Sequence, residues 1–408
     1  MTRHPVVIVG GGHAAAQLCA SLHELGHAQG VQLVCAEAML PYQRPPLSKG
    51  HLKNPQEFAQ LIRPAEWYAR AGIHCHLQRQ ATHLNPARQT LTLDNGDVLG
   101  YEQLVVATGT RARELPLLPR TRSNVHVLRT AADADALRAQ LHASQRVVVL
   151  GGGFIGLEVA ATAQALGKSV TLLEMAPRLM GRSVSQALSE QVRASHAASG
   201  MDIRLATALQ GVQVQAQRVV AVNLADAVLP CDLVLVAVGA EPETALAQAA
   251  GLVCDNGIWV DAAMRTSDPH IFAMGDCASF ALEAGRRLRL ESIQNAQDQA
   301  KVVAQGLLGH EAHYRPIPWF WSEQGALRLQ MVGLWTPEAS SVCRQGTQPA
   351  SVSWFHHVGD RLVCVESVNA PMDHMMARKL LALGVSPTPA ELADPTVPLK
   401  SLCPNATP

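Results

Sequence analysis

The sequence predicts an α/β protein built from two dinucleotide-binding units and a third, α+β domain with an antiparallel sheet, and three observations predict it. The first is an internal repeat. Val6–Ala16 and Val147–Leu157 each run a short apolar strand into a glycine cluster and then a helix. The repeat distance, 141 residues from Gly10 to Gly151, is far too long for a solenoid and suits two homologous domains. The second observation is that each copy leads into a helix-length segment and another strand, Val31–Ala36 or Ser169–Leu173, ending at an acid, Glu37 or Glu174. The third is a change of period from Trp319, where alternating strands such as Ser351–Phe355 and Leu362–Val365 flank a Gly359-Asp360 turn and predict a hairpin.

Composition agrees and excludes several classes. A chain of 408 residues exceeds one core. Its 48% hydrophobic and 16% charged residues, with 30 glycines, fit a soluble α/β protein rich in strand-to-helix turns. Lys plus Arg and Asp plus Glu both number 33, so no global field draws nucleic acid or an anionic membrane. The nine cysteines are scattered without a C-x-x-C pair or a metal-ligand cluster, which predicts reduced thiols and a cytoplasmic location. The first strand begins at Pro5, leaving no room for a signal peptide, and no apolar run approaches the ~18–20 residues that span a bilayer.

Later elements carry their own signals. Strands Leu104–Gly109 and Leu233–Gly239 each end at a glycine and read as the exits of the two nucleotide units. Thr130, with Asp133 three residues on, caps a helix from about Ala131 that introduces the second unit. Asn369 and Pro371 start a helix that Gly384 ends, and the proline-rich tail to Pro408 reads as irregular.

In the first copy, Gly10-x-Gly12-x-x-Ala15 comes directly after a strand and opens a helix. Glycines there permit the tight turn and let backbone amides approach a pyrophosphate, while Glu37 is placed for the ribose hydroxyls. A strand-loop-helix turn that binds nothing is the competing reading. The second copy, Gly151-x-Gly153-x-x-Gly156, has all three glycines, and Glu174 stands 18 residues beyond the last. A carboxylate at that place repels the 2′-phosphate of NADP and predicts NADH, with Arg178 leaving room for dual use. Two fingerprints in one chain imply two bound dinucleotides that exchange electrons. One is expected to be a flavin, because nicotinamide releases a hydride pair whereas flavin accepts the pair and returns electrons singly.

With these motifs, Tyr42-x-Arg44-Pro-Pro-Leu-Ser-Lys49, Ala107-Thr-Gly109, Ile271–Asp276 and Pro318–Gln324 complete a pattern. It resembles, over essentially the whole chain, the FAD/NADH ferredoxin reductases of aromatic-ring dioxygenase systems, the biphenyl dioxygenase reductase component among them. The resemblance implies a glutathione-reductase-like fold with a discontinuous FAD domain (1–109 and 240–318), an inserted NADH domain (110–239) and a C-terminal domain (319–408). It places Lys49 at the flavin N5 and O4 edge, Arg44 at the pyrophosphate, and Asp276 on a ribityl hydroxyl ahead of a helix N-terminus. Ala14, Ala81, Thr108, Gly109, Arg129, Ile293 and Trp319 join the FAD contacts. Phe154, Ile155, Val238 and Gly239 join the NAD contacts, and Glu158 approaches the nicotinamide amide or pairs with a lysine such as Lys53. A solvated Lys49, a surface salt bridge at Glu158 and core packing at Phe154 and Ile155 are the plainer alternatives.

As a strand, Trp319 and Trp321 share one face. Disulfide reductases of this fold carry C-x-x-x-x-C after the first unit, whereas Met39–Arg44 holds no cysteine and Cys35 reads as core. The reaction implied is hydride transfer from NADH to FAD, with NAD⁺ leaving, and then two single-electron transfers to an acidic [2Fe-2S] ferredoxin docking on cations such as Arg315, Arg328 and Lys53. A rubredoxin reductase, an NADH oxidase or a nucleotide-sensing interaction flavoprotein are the other readings. No nucleic-acid, membrane or metal partner is expected.

Overall fold

The computed structural model describes residues 5–282, 286–346, 348 and 350–403. The chain divides into two compact units: one comprises the chain up to Gln43, Ala59–Arg111 and Ala240–Pro316, and the other Arg44–Phe58, Ala112–Gly239 and the chain from Ile317 on.

In the first unit, strand β1 (Val6–Val9) leads into helix α1 (His13–Glu24) and strand β2 (Gln32–Cys35). β1 lies between β2 and Gln103–Val106, with Ile271–Ala273 and His74–Leu77 at the edges, all pairings parallel. Val7, Ile8, Leu104 and Val105 are fully buried, which is why β1 and Gln103–Val106 read as apolar runs and not as alternating ones. α1 carries Ala14, Ala15, Ala16, Leu18 and Leu22 into this core, and its small residues let the helix Ile293–Leu307 pack closely beside it.

The second unit repeats the plan with β3 (Arg146–Leu150), α2 (Phe154–Ala165) and β4 (Ser169–Leu173). Its parallel sheet runs Asp202–Arg204, β4, β3, Leu233–Val236, Val125–His126. Thr130 and Asp133 form the expected capping box on Ala131–Ala143. From Gly156 to Ala163 every residue of α2 is buried, because one face covers this sheet and the other covers the C-terminal sheet. A further helix, α3 (Gln186–Ala198), starts at the N-cap Ser185.

The C-terminal antiparallel sheet has the order β5 (Trp319–Gln324), β6 (Leu327–Gly333), β9 (Arg361–Val368), β8 (Val352–Val358), β7 (Ser340–Gln345). The β8–β9 hairpin turns at Gly359, whose φ is +58°. Helix α4 (Pro371–Leu383) has Pro371 in its first turn and ends on Gly384 in the left-handed region, as the sequence predicts. The tail departs from expectation. Thr388 and Glu391 form a capping box on a short helix, Pro389–Ala393, and a 3-10 turn comes next at Leu399–Leu402. Arg344 holds the tail through the carbonyls of Leu392, Asp394, Pro395 and Val397 at 2.7–3.4 Å, while Leu392 and Leu399 enter the core. Residues 404–408 of that expectation lie outside the described residues. Among the described residues no helix is long and apolar enough to cross a membrane.

Candidate dinucleotide sites

The first cradle belongs to the first unit. Gly10 has φ +127°, and a Cβ on it would stand 2.2 Å from the Ala107 carbonyl oxygen, so only glycine turns here. Gly12, the extended N-cap of α1, would point a Cβ into space with nothing within 4 Å. That opening faces the unbonded amides of a helix N-terminus, the geometry a diphosphate needs. Ala14 lies 3.2 Å from a Cβ built on Gly275, which brings the Asp276 turn to the same helix start. The Gly275 N–H donates to Gln299 Oε1 at 2.7 Å. Glu37 accepts from the Tyr42 hydroxyl at 2.5 Å. Thr108 donates to the Glu243 carbonyl at 2.6 Å, and Gly109 comes next with φ +70°. Ala81 stands in a separate antiparallel sheet, paired with Leu93, and Ile293 is the first residue of its helix, behind the N-cap Ser292. Asp276 lies within the 3-10 turn Gly275–Cys277, and the strand Ala278–Ala281 intervenes before the helix Ile293–Leu307, which packs on that turn. The chain must cross that strand before Ser292 supplies a cap.

The second cradle has the same plan. Gly151 has φ +104° with the Ala237 carbonyl oxygen 2.3 Å from its built Cβ, and Gly153 is an extended N-cap with nothing within 4 Å. A Cβ on Gly156 would meet the Gly151 carbonyl oxygen at 2.1 Å. Glu174 accepts from the amides of Gly152 (2.6 Å) and Ala176 (2.7 Å), holding its carboxylate against the glycine loop. Ile155 is exposed, whereas Phe154 packs on Phe320 with ring centroids 4.7 Å apart. Beyond Val238, Gly239 has φ +108°, and its built Cβ stands 3.5 Å from the Arg182 guanidinium. Arg178 is engaged elsewhere, donating to the carbonyls of Val184 (2.7 Å) and Gly181 (2.5 Å).

A third cluster joins Arg44–Lys53 to α2 and β5, all within the second unit. Glu158 is buried. Its Oε2 accepts from Lys49 Nζ at 2.7 Å and Ser48 Oγ at 2.5 Å, and its Oε1 accepts from Ser322 Oγ at 2.7 Å. The lysine partner is therefore Lys49, and Lys53 is exposed. A surface salt bridge at Glu158 is excluded by the same burial, as is a freely solvated Lys49. Arg44 donates to the Arg129 carbonyl at 2.7 Å, bringing those two residues together. Sequence reasoning misses Ser322. Its signal is the alternation that puts Trp319 and Trp321 on one face and Phe320, Ser322 and Gln324 on the other. Trp319 and Trp321 do stack, with centroids 5.5 Å apart, and the Arg378 guanidinium lies 4.3 Å from the Trp319 ring centroid.

The open N-cap glycine, the strained first glycine and the acid at the strand end occur twice, and both cradles fit a dinucleotide diphosphate. A family model described as pyridine nucleotide-disulphide oxidoreductase matches residues 4–300, and one described as reductase C-terminal matches residues 319–403. The chain belongs to the pyridine nucleotide-disulphide oxidoreductase family. It is 40% identical to the anthranilate 1,2-dioxygenase system ferredoxin–NAD(+) reductase component of Burkholderia cepacia, over 98% of this chain and 100% of that one. It is 39% identical to the rhodocoxin reductase of Rhodococcus erythropolis, over 97% and 93%. Among solved structures, the covalent putidaredoxin reductase–putidaredoxin complex matches with TM-score 0.94 and 37% identity, covering 98% of both chains. The ferredoxin reductase of the CYP199A2 system from Rhodopseudomonas palustris also reaches TM-score 0.94, at 39% identity over 98% and 100%. This family member is an FAD-dependent oxidoreductase that uses NAD(P)H. The thiol beside its first cradle, Cys35, is buried, and that burial pushes its pKa up to about 12.

Proposed function

We propose that this protein is an NADH-dependent ferredoxin reductase of the cytoplasm, feeding a [2Fe-2S] ferredoxin that serves an aromatic-ring-hydroxylating dioxygenase. The observation that carries the reading is the pair of open cradles, each with space where an N-cap Cβ would stand. FAD is assigned to the Gly10 cradle with Glu37 and Asp276, and NADH to the Gly151 cradle with Glu174 and Gly239. When bound, FAD takes an electron pair as hydride from NADH and releases electrons one at a time.

The chain's own residues bind and hold charge. Glu158, fixed by three donors, holds the Lys49 ammonium in one orientation, and a cation held in this way would favour negative charge on a reduced flavin. NADH over NADPH is supported by the Glu174 carboxylate and by the engagement of Arg178 with two carbonyls. The acceptor is supported by relatives named ferredoxin and putidaredoxin reductases and by the putidaredoxin complex. The exposed Arg315, Arg328 and Lys53 are proposed as docking cations, whose effect falls chiefly on the encounter rate. Nine free cysteines suit the reducing cytoplasm.

The test is anaerobic stopped-flow. NADH should bleach the yellow protein and raise a long-wavelength charge-transfer band, and a [2Fe-2S] ferredoxin should then restore the colour faster than rubredoxin or oxygen. Oxygen uptake that keeps pace with NADH oxidation, unchanged by ferredoxin, overturns the acceptor; faster return with rubredoxin reassigns it.

A further inference from the structure

We infer that the C-terminal domain sets the coenzyme preference, because Trp335 and Glu366 hold Arg178 in a conformation that commits one donor of each Nη to a loop carbonyl instead of a 2′-phosphate. The inference rests on reading the Gly151 cradle as the NADH site. NADPH differs from NADH by a phosphate dianion on the adenosine ribose, which a guanidinium near the acid at the strand end accommodates. Arg178 stands four residues beyond Glu174.

Its guanidinium is gripped from two sides. On one side its face lies over the Trp335 indole, 5.4 Å from the ring centroid, in the loop between β6 and β7. On the other, Nη1 donates to the Val184 carbonyl at 2.7 Å and Nη2 to the Gly181 carbonyl at 2.5 Å. The Val184 carbonyl is fixed in turn by the next residue along. Ser185 is buried, and its N–H donates to Glu366 Oε1 at 2.8 Å while its hydroxyl donates to Glu366 Oε2. The same hydroxyl oxygen accepts from the Leu188 amide at 3.2 Å as the N-cap of α3.

Glu366 comes from β9 of the C-terminal sheet and is 1% exposed. A carboxylate buried so completely is costly unless donors surround it. Ser185 supplies two, a helix N-terminus supplies favourable dipole, and His356 Nε2 from β8 completes the set at 3.0 Å. His356 Nδ1 meets Ser341 Oγ at 2.7 Å, so the chain of contacts ends at the surface strand β7. Such a fully partnered network at the end of the 174–185 loop has no part in cradling a diphosphate or in moving electrons. What it fixes is the carbonyl that occupies Arg178.

Releasing either grip should therefore free Arg178 for a phosphate without disturbing Glu174 or the glycine loop. The test compares kcat/KM for NADH and NADPH in the FAD-loaded protein and in Trp335→Ala, Glu366→Gln and Trp335→Ala/Arg178→Ala. The single variants should lower the NADH:NADPH ratio at least fivefold, through KM for NADPH, with kcat for NADH kept. The double variant should lose that gain. Independently of turnover, calorimetry should show 2′,5′-ADP binding at least fivefold tighter to Trp335→Ala than to wild type, with 5′-AMP unchanged. Trp335 is a half-buried loop residue, so its truncation leaves a folded protein even where Glu366→Gln does not. An unchanged ratio and unchanged 2′,5′-ADP affinity in Trp335→Ala overturn the inference, as does a gain that survives loss of Arg178. Wild type that NADH fails to reduce overturns the cradle assignment itself, and with it this inference.

Discussion

The two cradles share a plan and differ in how each is closed. In both, the first glycine is forced by the carbonyl of the neighbouring strand exit, and the second leaves open space at a helix N-terminus. The third position separates them. Ala15 is accepted in α1, whereas Gly156 in α2 sits against the Gly151 carbonyl with no room for a methyl group. The acids differ as well: Glu37 takes a side-chain donor, Tyr42, and Glu174 takes two backbone amides. The lesson is that the third residue of the fingerprint reports how closely helix approaches loop, while the second reports open space at a helix start.

The largest effect should come from Gly10→Ala, which combines a forbidden φ with a clash against backbone and should cost about 3 kcal/mol or more. Purified protein should be colourless and should melt early, as circular dichroism would record. A yellow, stable variant breaks the claim that backbone approach dictates this position. Next comes Gly156→Ala, which should keep FAD yet cut kcat/KM for NADH roughly 100-fold as the glycine loop shifts, a loss near 2.8 kcal/mol at 1.4 kcal/mol per decade. The converse Ala15→Gly should cost only about 1 kcal/mol of helix stability.

Gly153→Val sharpens the comparison further. Its side chain enters open space, so the melting temperature should stay within a few degrees of wild type while KM for NADH rises at least tenfold. A large drop in melting temperature would mean that the space is structural. The smallest effect belongs to Tyr42→Phe. Losing one hydrogen bond to Glu37, worth about 1 kcal/mol, should weaken FAD retention roughly fivefold by ultrafiltration and leave KM for NADH unchanged.

Much of this was legible from periodicity and punctuation. Apolar runs buried on both faces, glycines at helix starts, the Thr130 cap and the α4 boundaries are local properties, and local chemistry fixed them. Partnerships across the chain were not. Glu158 finds Lys49 at a separation of 109 residues and Ser322 at 164, and no spacing rule distinguishes Lys49 from Lys53 before tertiary packing does. The tail helix shows a different failure. Its Thr388-x-x-Glu391 box is as clear as that of Thr130, but five residues yield no periodic face, and its stability comes from Arg344 and Leu392 rather than from its own sequence.

The discontinuity of the first unit bears on how the chain comes off the ribosome. The sheet of β3 and β4 has all five strands once residue 236 has emerged, whereas the sheet of β1 lacks Ile271–Ala273 until some forty residues later. The inserted sheet can therefore close first, during synthesis, while the earlier-made β1, β2 and α1 wait as an incomplete sheet with one open edge. Flavin capture at Gly10 is then a late event of biogenesis, and nascent chains arrested before residue 271 should carry the second cradle assembled and the first still unfinished.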